Sequence, residues 1–323
     1  MRYPIRAVHF QLTGRCNLAC RFCGQSKGML ATEGGELPVD FWLRCAGEIE
    51  PDAAITFWGG EPLLYPGFEE LSARLSGGGH PFEIVTNGTL IPRHAETLCR
   101  DFDRIFVSVD GPHDLHDAVR GKGVFDQVKA ALPLLDGRRG ELVFLTTISD
   151  ANVERMAELP DELAGLKPDR IVLQQLMYLS AREIETYRDY SRTHFNCDYP
   201  ELEAWRRDDD ANYLARWREG MRKLAGKRFP MEVTAVGHRY PDGPRDTPCC
   251  RAPESRLHIR HDGEVGFCTD YFGFSLGSAL KQSLPELIEG ERAELWRKAV
   301  AANALPVCNH CAWRLQFPYR VQR

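Results

Sequence analysis

The chain of 323 residues lacks several features that would place it in a membrane, on nucleic acid or outside the cell. No apolar run approaches the roughly 18 residues that a membrane-spanning helix needs. The N-terminus has no apolar segment of the kind that secretory signals contain, which predicts a cytoplasmic protein. The net charge of −5 comes without clustered Lys and Arg, so the sequence predicts neither a nucleic-acid partner nor a membrane surface.

Cysteine, by contrast, is plentiful, with eleven residues in the chain. In a reducing compartment a disulfide framework is disfavoured, and metal ligation or catalysis explains the cysteines better. Hydrophobic residues make up 43% and charged residues 27%, as in an ordinary globular protein. The length suits a large α/β domain with an appended smaller unit.

The first part of the chain alternates short apolar segments with amphipathic ones. The apolar segments predict strands at residues 8–13, 54–58, 82–86, 104–109, 142–148 and 170–175. The amphipathic segments predict helices at residues 39–49, 67–75, 92–99, 124–135 and 153–163. This alternation is typical of a parallel sheet with crossover helices. Six such units predict a partial TIM-like (β/α)6 barrel over residues 1–180.

The rest of the chain has a different pattern. Residues 181–245 predict a helical insertion and linker, since they are highly charged as far as residue 228 and become rich in Pro and Gly at 241–248. Residues 246–323 predict a small unit with a hairpin turn at Asp262-Gly263 and a helix at 288–301. This unit holds five cysteines, namely Cys249, Cys250, Cys268, Cys308 and Cys311.

Three cysteines follow the first predicted strand directly. Cys16, Cys20 and Cys23 form a C-x3-C-x2-C pattern at the strand's carboxyl end, where parallel barrels carry their active sites. Soft thiolates select zinc or iron–sulfur over hard metals, and structural zinc would want a fourth protein ligand. His9 lies within the strand and is assigned to its face. Three thiolates can instead hold three irons of a cubane and leave the fourth iron open.

This cysteine spacing, with Phe22 before the last cysteine, resembles the radical S-adenosylmethionine superfamily. Gly59-Gly60-Glu61-Pro62 follows the second strand and resembles the family's GGEP motif. Thr86-Asn87-Gly88 and Ser108-Val109-Asp110-Gly111 follow the third and fourth strands and resemble cofactor-binding segments, as does the run from His116 to Gly121.

The resemblance implies roles for individual residues. The backbone of Gly59 and Gly60 and the acidic side chain of Glu61 receive the methionine ammonium group. The remaining cofactor residues line its pocket or meet its ribose and carboxylate, and they are Phe22, Asn87, Ser108, Asp110 and Arg120. It further implies that a reduced [4Fe–4S] cluster cleaves S-adenosylmethionine to a 5′-deoxyadenosyl radical, which takes hydrogen from a C–H bond. Flavodoxin or ferredoxin is the implied kind of electron donor.

The C-terminal cysteines form a second candidate metal site. Cys250, Cys268, Cys308 and Cys311 could hold zinc or a [4Fe–4S] cluster, and their spacing alone leaves both open. With a radical core, the pattern resembles the twitch domain, the short form of the SPASM extension. That resemblance implies one fully ligated auxiliary cluster that carries electrons, since no further cysteine follows Cys311.

Several residues stay open or receive a structural interpretation. Cys249 is a weaker alternative to Cys250, and His310 is an outside candidate ligand. The remaining cysteines are interpreted as structural, namely Cys45, Cys99 and Cys197. No catalytic acid or base is assigned, although polar side chains follow the fifth and sixth strands at Thr147, Ser149, Gln174 and Gln175.

Three functions are compatible with the two cysteine sites and the family resemblance. The favoured one is two-electron oxidation of a small-molecule alcohol, such as a sugar or cyclitol, with the auxiliary cluster accepting the second electron. The alternative is a peptide maturase that crosslinks or epimerises its substrate, which is weakened because the first strand starts by about residue 8 and leaves no room for a leader-binding domain. The remote alternative is a non-catalytic zinc or iron–sulfur protein.

Overall fold

The computed structural model describes residues 3–24, 35–208, 210–237, 250–269, 274–306, 308 and 319–321. Its strands form one sheet with the order β10-β9-β8-β1-β2-β3-β4-β5-β6-β7-β11. The seven central strands are parallel to their neighbours and follow chain order. They are β1 (Ala7–Thr13), β2 (Ala54–Gly59), β3 (Phe82–Thr86), β4 (Arg104–Ser108), β5 (Glu141–Ile148), β6 (Arg170–Gln175) and β7 (Glu232–Val236).

Helices connect the parallel strands and cover one face of the sheet. They are α1 (Val39–Gly47), α2 (Phe68–Ser76), α3 (Ile91–Asp101), α4 (His113–Arg120), α5 (Val124–Ala131), α6 (Leu159–Leu163), α7 (Ala181–Phe195) and α8 (Asp210–Leu224). Aromatic side chains fill the layer between sheet and helices. The ring of Phe10 on β1 lies 5.0 Å from Trp42 on α1, and Phe57 on β2 lies 4.7 Å from Phe82 on β3.

The other face carries charged residues at the amino ends of the strands. Glu83, Arg104, Glu141, Arg170 and Glu232 stand on β3 to β7 with alternating sign. Arg104 bridges the two carboxylates beside it, at 2.9 Å to Glu141, and Arg170 bridges Glu141 and Glu232 at 3.0 and 3.5 Å. Because this end lies opposite the strands' carboxyl ends, the charges hold neighbouring strands together without entering the site.

The sheet extends beyond the predicted six strands at both edges. β7 lies inside the range predicted as a helical insertion and pairs in parallel with β6. Its β-branched residues were a strand signal, but the charged helices before it concealed that signal. At the same edge, β11 (Tyr319–Val321) pairs antiparallel with β7. At the opposite edge, β8 (Arg256–Ile259) pairs in parallel with β1.

The C-terminal hairpin confirms the turn predicted at Asp262-Gly263. β8 pairs antiparallel with β9 (Glu264–Gly266), which in turn pairs with β10 (Gly277–Ser278). The short helix α9 (Ala252–Ser255) precedes the hairpin. The helix predicted at 288–301 is instead two helices, α10 (Leu284–Glu289) and α11 (Glu291–Ala301), because Gly290 interrupts it in an extended conformation.

Other helices also differ from the sequence predictions. The helix predicted at 124–135 ends at Ala131 and continues as a 3-10 turn, since Pro133 removes a backbone donor. The helix predicted at 153–163 is a 3-10 turn (Val153–Arg155) followed by α6. Helix α4 was not predicted. In the described part of the chain, no helix is long and apolar enough to cross a membrane.

The C-terminal unit is attached to the barrel by specific polar contacts. Arg44 on α1 donates to the carbonyl of Ala279 at 2.6 Å, and the carboxylate of Glu48 accepts from the backbone N–H of Leu284 at 2.6 Å. On α11 the guanidinium of Arg297 lies 3.5 Å from the ring centre of Tyr3. These contacts link α1 and the N-terminal segment to the unit that carries the C-terminal cysteines.

Candidate functional site

The first three cysteines lie together on the loop that leaves β1. Cys16 is exposed, Cys20 is buried and Cys23 is half-buried. The backbone N–H of Cys23 donates to the carbonyl of Cys20 at 3.0 Å, which folds the loop into a turn. Burial raises the pKa of Cys20 to about 11. The positive charge of Arg120 opposes this shift, whereas the negative charges of Cys23 and Cys16 add to it.

Hydrogen-bond donors point at two of these sulfurs. The backbone N–H of Leu18 lies 3.5 Å from the sulfur of Cys16, and Nδ2 of Asn87 lies 3.9 Å from the same atom. Nη1 of Arg120 lies 3.9 Å from the sulfur of Cys20. Such donors stabilise thiolates, so the donor set fits an iron–sulfur cluster held by soft ligands. Within the described residues, no three His, Cys, Asp or Glu side chains converge as ligands of a single metal ion would, whereas the three thiols here would each bind a different iron of a cubane.

The GGEP segment at the end of β2 is joined to the cysteine loop by its backbone. Gly60 donates to the carbonyl of Thr13 at 3.0 Å, and Glu61 donates to the carbonyl of Arg15 at 2.8 Å. Gly59 has a φ of +140°, and a Cβ there would lie 2.6 Å from the carbonyl oxygen of Thr13. Only glycine therefore permits this approach of the two chain segments.

The side chain of Glu61 connects the second and third strand ends. Its buried carboxylate accepts from the hydroxyl of Thr86 at 2.7 Å, the N–H of Asn87 at 2.8 Å and the N–H of Leu63 at 3.2 Å. Burial raises the pKa of Glu61 to about 7 despite these donors. The resemblance implies that this side chain receives a ligand ammonium group, and that role stays a prediction; in the structure the carboxylate has three protein partners.

Asn87 joins the TNG segment after β3 to the cysteine loop. Its Nδ2 donates to Oδ1 of Asn17 at 2.9 Å, and Nδ2 of Asn17 donates to the hydroxyl of Thr89 at 2.8 Å. The same amide approaches Cys16 as described above. Asn17 and Thr89 did not stand out in the sequence, because a short polar residue inside a motif has no periodicity to mark it.

The segment after β4 contributes a buried ion pair. Oδ2 of Asp110 accepts from Nε of Arg120 at 2.6 Å, and its Oδ1 accepts from the N–H of Thr147 at 2.8 Å. The guanidinium of Arg120 lies 5.6 Å from the ring centre of Phe22 in the cysteine loop. Ser108, the last residue of β4, is half-buried. The predicted cofactor residues from four loops therefore meet at one edge of the sheet.

The polar residues after β5 and β6 serve partly structural roles. The backbone of Ser149 donates to Oδ1 of Asn152 at 2.8 Å, and Nδ2 of Asn152 donates to the carbonyl of Asp110 at 2.8 Å. Gln174 is half-buried and Gln175 is fully buried at the end of β6. Asn152 was missed by sequence reasoning, since its contact with Asp110 depends on the fold.

Two of the C-terminal cysteines, Cys268 and Cys308, lie near α7. Cys250, Cys268 and Cys308 are half-buried and pack against the hydrophobic core. Burial raises the pKa of Tyr187 on α7 well above its usual range, and the charges of Cys268 and Cys308 add to this effect. Both cysteines are therefore close to one buried tyrosine. Outside the described residues lie Cys249, His310 and Cys311, so the choice between Cys249 and Cys250 stays a prediction.

The cysteines interpreted as structural are all in contact with the core. Cys45 on α1 is fully buried. Cys99 and Cys197 are half-buried and pack against the same core, and their sulfurs lie 3.6 Å and 3.3 Å from backbone carbonyl oxygens. His9 faces Trp58 from within β1, at 6.3 Å between ring centres, and burial lowers its pKa to about 4.

Two family models match the chain. The Radical SAM superfamily model matches residues 10–163, and SPASM, an iron–sulfur cluster-binding domain, matches residues 249–312. Fe-coproporphyrin III synthase of Methanosarcina barkeri is 30% identical over 246 residues, which cover 73% of this chain and 56% of that protein. The sporulation killing factor maturation protein SkfB of Bacillus subtilis is 29% identical over 160 residues, 48% of this chain and 38% of that protein. The matches thus span 56% and 38% of the length of these two relatives.

Solved structures show the same architecture. SuiB of Streptococcus suis bound to S-adenosylmethionine superposes with a TM-score of 0.70 at 16% identity, covering 95% of this chain and 72% of that one. The structure of anSMEcpe with bound AdoMet has a TM-score of 0.64 at 18% identity, covering 92% of this chain and 80% of that one. At these identities the likeness concerns the fold alone, and it confirms the predicted α/β fold with a small C-terminal unit.

Proposed function

This chain belongs to the radical S-adenosylmethionine superfamily and has a C-terminal SPASM domain, and from that premise we propose that it oxidises a small molecule by two electrons. Membership confirms the predicted enzyme class and its cofactors, S-adenosylmethionine and iron–sulfur clusters. When bound, these cofactors supply one-electron cleavage of the sulfonium, hydrogen abstraction from a C–H bond and a path for the second electron.

The observation that carries the proposal is the meeting of four strand ends around three thiols. Cys16, Cys20 and Cys23 would hold the first cluster, with N–H donors of Leu18, Asn87 and Arg120 directed at the sulfurs of Cys16 and Cys20. The contribution of these donors is to stabilise the thiolate forms that burial alone disfavours.

The other predicted cofactor residues would orient S-adenosylmethionine. The backbone of Gly59 and Gly60 is fixed against the cysteine loop and offers a surface without side chains. Ser108 stands at the end of β4 on the same edge. The carboxylate of Glu61 holds the second and third loops in register, so its main role in this proposal is to shape the pocket.

The C-terminal cysteines would hold one auxiliary cluster. Cys250, Cys268, Cys308 and Cys311 provide four thiolates, and full ligation leaves no iron open to substrate. We therefore assign this cluster to electron transfer. A small redox protein such as flavodoxin or ferredoxin would supply the reducing electron to the first site.

The substrate class rests on the relatives. A small molecule is favoured by the match to a protein named Fe-coproporphyrin III synthase, which covers 73% of this chain. A peptide is the second candidate, because the match to SkfB, named as a maturation protein, covers 48%. Mass spectrometry of reactions with a candidate porphyrin and a candidate peptide separates the two by showing which compound is changed, and a two-electron oxidation of the small molecule would remove two hydrogens from it.

Anaerobic reconstitution tests the core of the proposal. With iron and sulfide the protein should bind about eight irons, and it should form 5′-deoxyadenosine from S-adenosylmethionine and dithionite. The triple variant Cys16→Ala, Cys20→Ala, Cys23→Ala should lose about half of the iron and all of that product. Cys99→Ala is the matched control and should retain both. Product formation by the triple variant would refute the assignment, and zinc in the C-terminal unit would refute its electron-transfer role.

A further inference from the structure

Arg120 and Asp110 form a buried ion pair beside the first cysteine loop. Their side chains are 8% and 0% exposed, and Nε of the arginine lies 2.6 Å from Oδ2 of the aspartate. The family resemblance implied that the arginine meets the carboxylate of the cofactor. In the structure a different edge of the guanidinium, Nη1, lies 3.9 Å from the sulfur of Cys20.

The contacts of the guanidinium fix its orientation. Its Nε edge binds Asp110, its Nη1 points to Cys20, and its flat face lies over the ring of Phe22 at 5.6 Å. A guanidinium is planar and its donors form a rigid fork, so satisfying one edge determines where the other donors point. The nearest sulfur of the cysteine loop therefore receives a directed positive charge.

Three further hydrogen bonds fix the position of Asp110 independently of Arg120. Its Oδ1 accepts from the N–H of Thr147 at 2.8 Å, and its own N–H donates to Nδ1 of His116 at 3.2 Å. Its carbonyl accepts from Nδ2 of Asn152 at 2.8 Å. The aspartate is thus a fixed anchor between β5 and α4, and the cation it anchors is aimed at the cysteine loop.

We propose that Arg120, positioned by Asp110, hydrogen-bonds the Cys20 sulfur and raises the reduction potential of the first cluster. The inference rests on the proposed function, since it requires a cluster on these cysteines. Reduction adds negative charge to a cluster, and hydrogen bonds to its sulfurs together with a nearby cation favour the more negative state. The negative charge of Asp110 offsets part of this effect, so the two residues shift the potential in opposite directions.

Redox titration of the reconstituted holoenzyme, followed by electron paramagnetic resonance, tests this sign pattern. The first cluster is identified as the signal that changes on addition of S-adenosylmethionine. Arg120→Gln should shift the reduction equilibrium about tenfold towards the oxidised form. For one electron, this corresponds to a reduction potential about 59 mV lower. Asp110→Asn should shift the potential upwards, because the negative charge is gone while the one amide oxygen can still accept from the arginine; only the acceptor of the Thr147 N–H is lost. Arg120→Lys keeps the charge and should stay within about threefold of the wild type.

Arg15→Gln is the matched control. It removes a cation from the residue before Cys16, but that side chain is 52% exposed and pairs with Glu36, so water screens its charge. The potential should change less than about twofold. An unchanged potential in Arg120→Gln with full iron would overturn the inference, as would a fall in both Arg120→Gln and Asp110→Asn, which would indicate general loosening.

Loss of the cluster in Arg120→Gln does not end the test. Asp110→Asn and Arg120→Lys keep a cation at the site, so a rise in the first and a near-normal potential in the second support the inference, and any other pair of results contradicts it. Failure of the proposed function would give a different result. The wild type and the triple variant Cys16→Ala, Cys20→Ala, Cys23→Ala would then bind the same amount of iron.

Discussion

The two cysteine sites differ in how the chain builds them. Cys16, Cys20 and Cys23 share one loop after β1, and donors from Asn87 after β3 and from Arg120 on α4 point at the sulfurs of Cys16 and Cys20. Cys250 and Cys268 flank a hairpin, while Cys308 follows α11. The first site is therefore formed by local sequence and one sheet edge, whereas the second depends on how separate elements pack. Changes in packing should damage the second site long before the first.

The largest effect should come from removing a single ligand at each site in turn. Cys20→Ala should abolish 5′-deoxyadenosine formation, because three thiolates are the minimum that holds a cubane with one open iron. Cys268→Ala should lose about four irons but still form 5′-deoxyadenosine, since the role proposed for its site is electron transfer and not binding of S-adenosylmethionine. Iron analysis and chromatography of the product measure both results. Equal loss of product in the two variants would show that the sites form one cooperative unit.

The same difference explains what sequence reasoning could reach. The six strands and the four strand-end motifs were predictable, because apolar alternation and glycine-rich turns are local signals. Strand β7 and the pairing of β8 with β1 were not, since both depend on partners far away in the chain. Within the site, Asn152 and the ion pair of Arg120 with Asp110 are contacts between elements, and no spacing rule specifies them.

The second effect concerns the buried carboxylate that links two strand ends at the first site. Glu61 has a pKa of about 7 in the folded protein, against an ordinary value near 4.5, because it is buried. The folded state therefore binds more protons than the unfolded chain between these values. Stability of the cluster-free protein should fall as pH rises through this window, by about 3 kcal/mol in total, and level off above it.

Urea unfolding of the cluster-free protein between pH 4.5 and 8 measures this dependence. Glu61→Gln removes the titration but keeps one oxygen for Thr86 or Asn87, so its difference from the wild type should change across the window. Glu70→Gln is the control, because its side chain is 62% exposed and pairs with Arg74 at the surface. A Glu61→Gln curve that runs parallel to the wild type would contradict the assignment.

A smaller effect should follow from loosening the C-terminal unit. Glu48→Ala removes the acceptor of the Leu284 N–H and a partner of Arg44. The free energy of unfolding should drop by about 1 to 2 kcal/mol, since a hydrogen bond to a charged group is lost. A chelator should also remove iron faster from the second site than from the first. Asp52→Ala breaks only an exposed pair with Arg6 and should change neither measurement; equal iron release from both sites would contradict the prediction.

The smallest effect tests whether a distant helix completes the second site. Tyr187 on α7 is fully buried, and burial raises its pKa, with the charges of Cys268 and Cys308 adding to this effect. Tyr187→Phe keeps the ring and removes the hydroxyl dipole near these sulfurs. The second cluster should become harder to reduce by about threefold, because a hydroxyl dipole near the sulfurs helps to stabilise the more negative, reduced state. Redox titration should show this shift with the S-adenosylmethionine-sensitive signal unchanged. A shift of the S-adenosylmethionine-sensitive signal instead would mean that α7 affects the first site. It would contradict the view that the first site is built locally and the second by packing of separate elements.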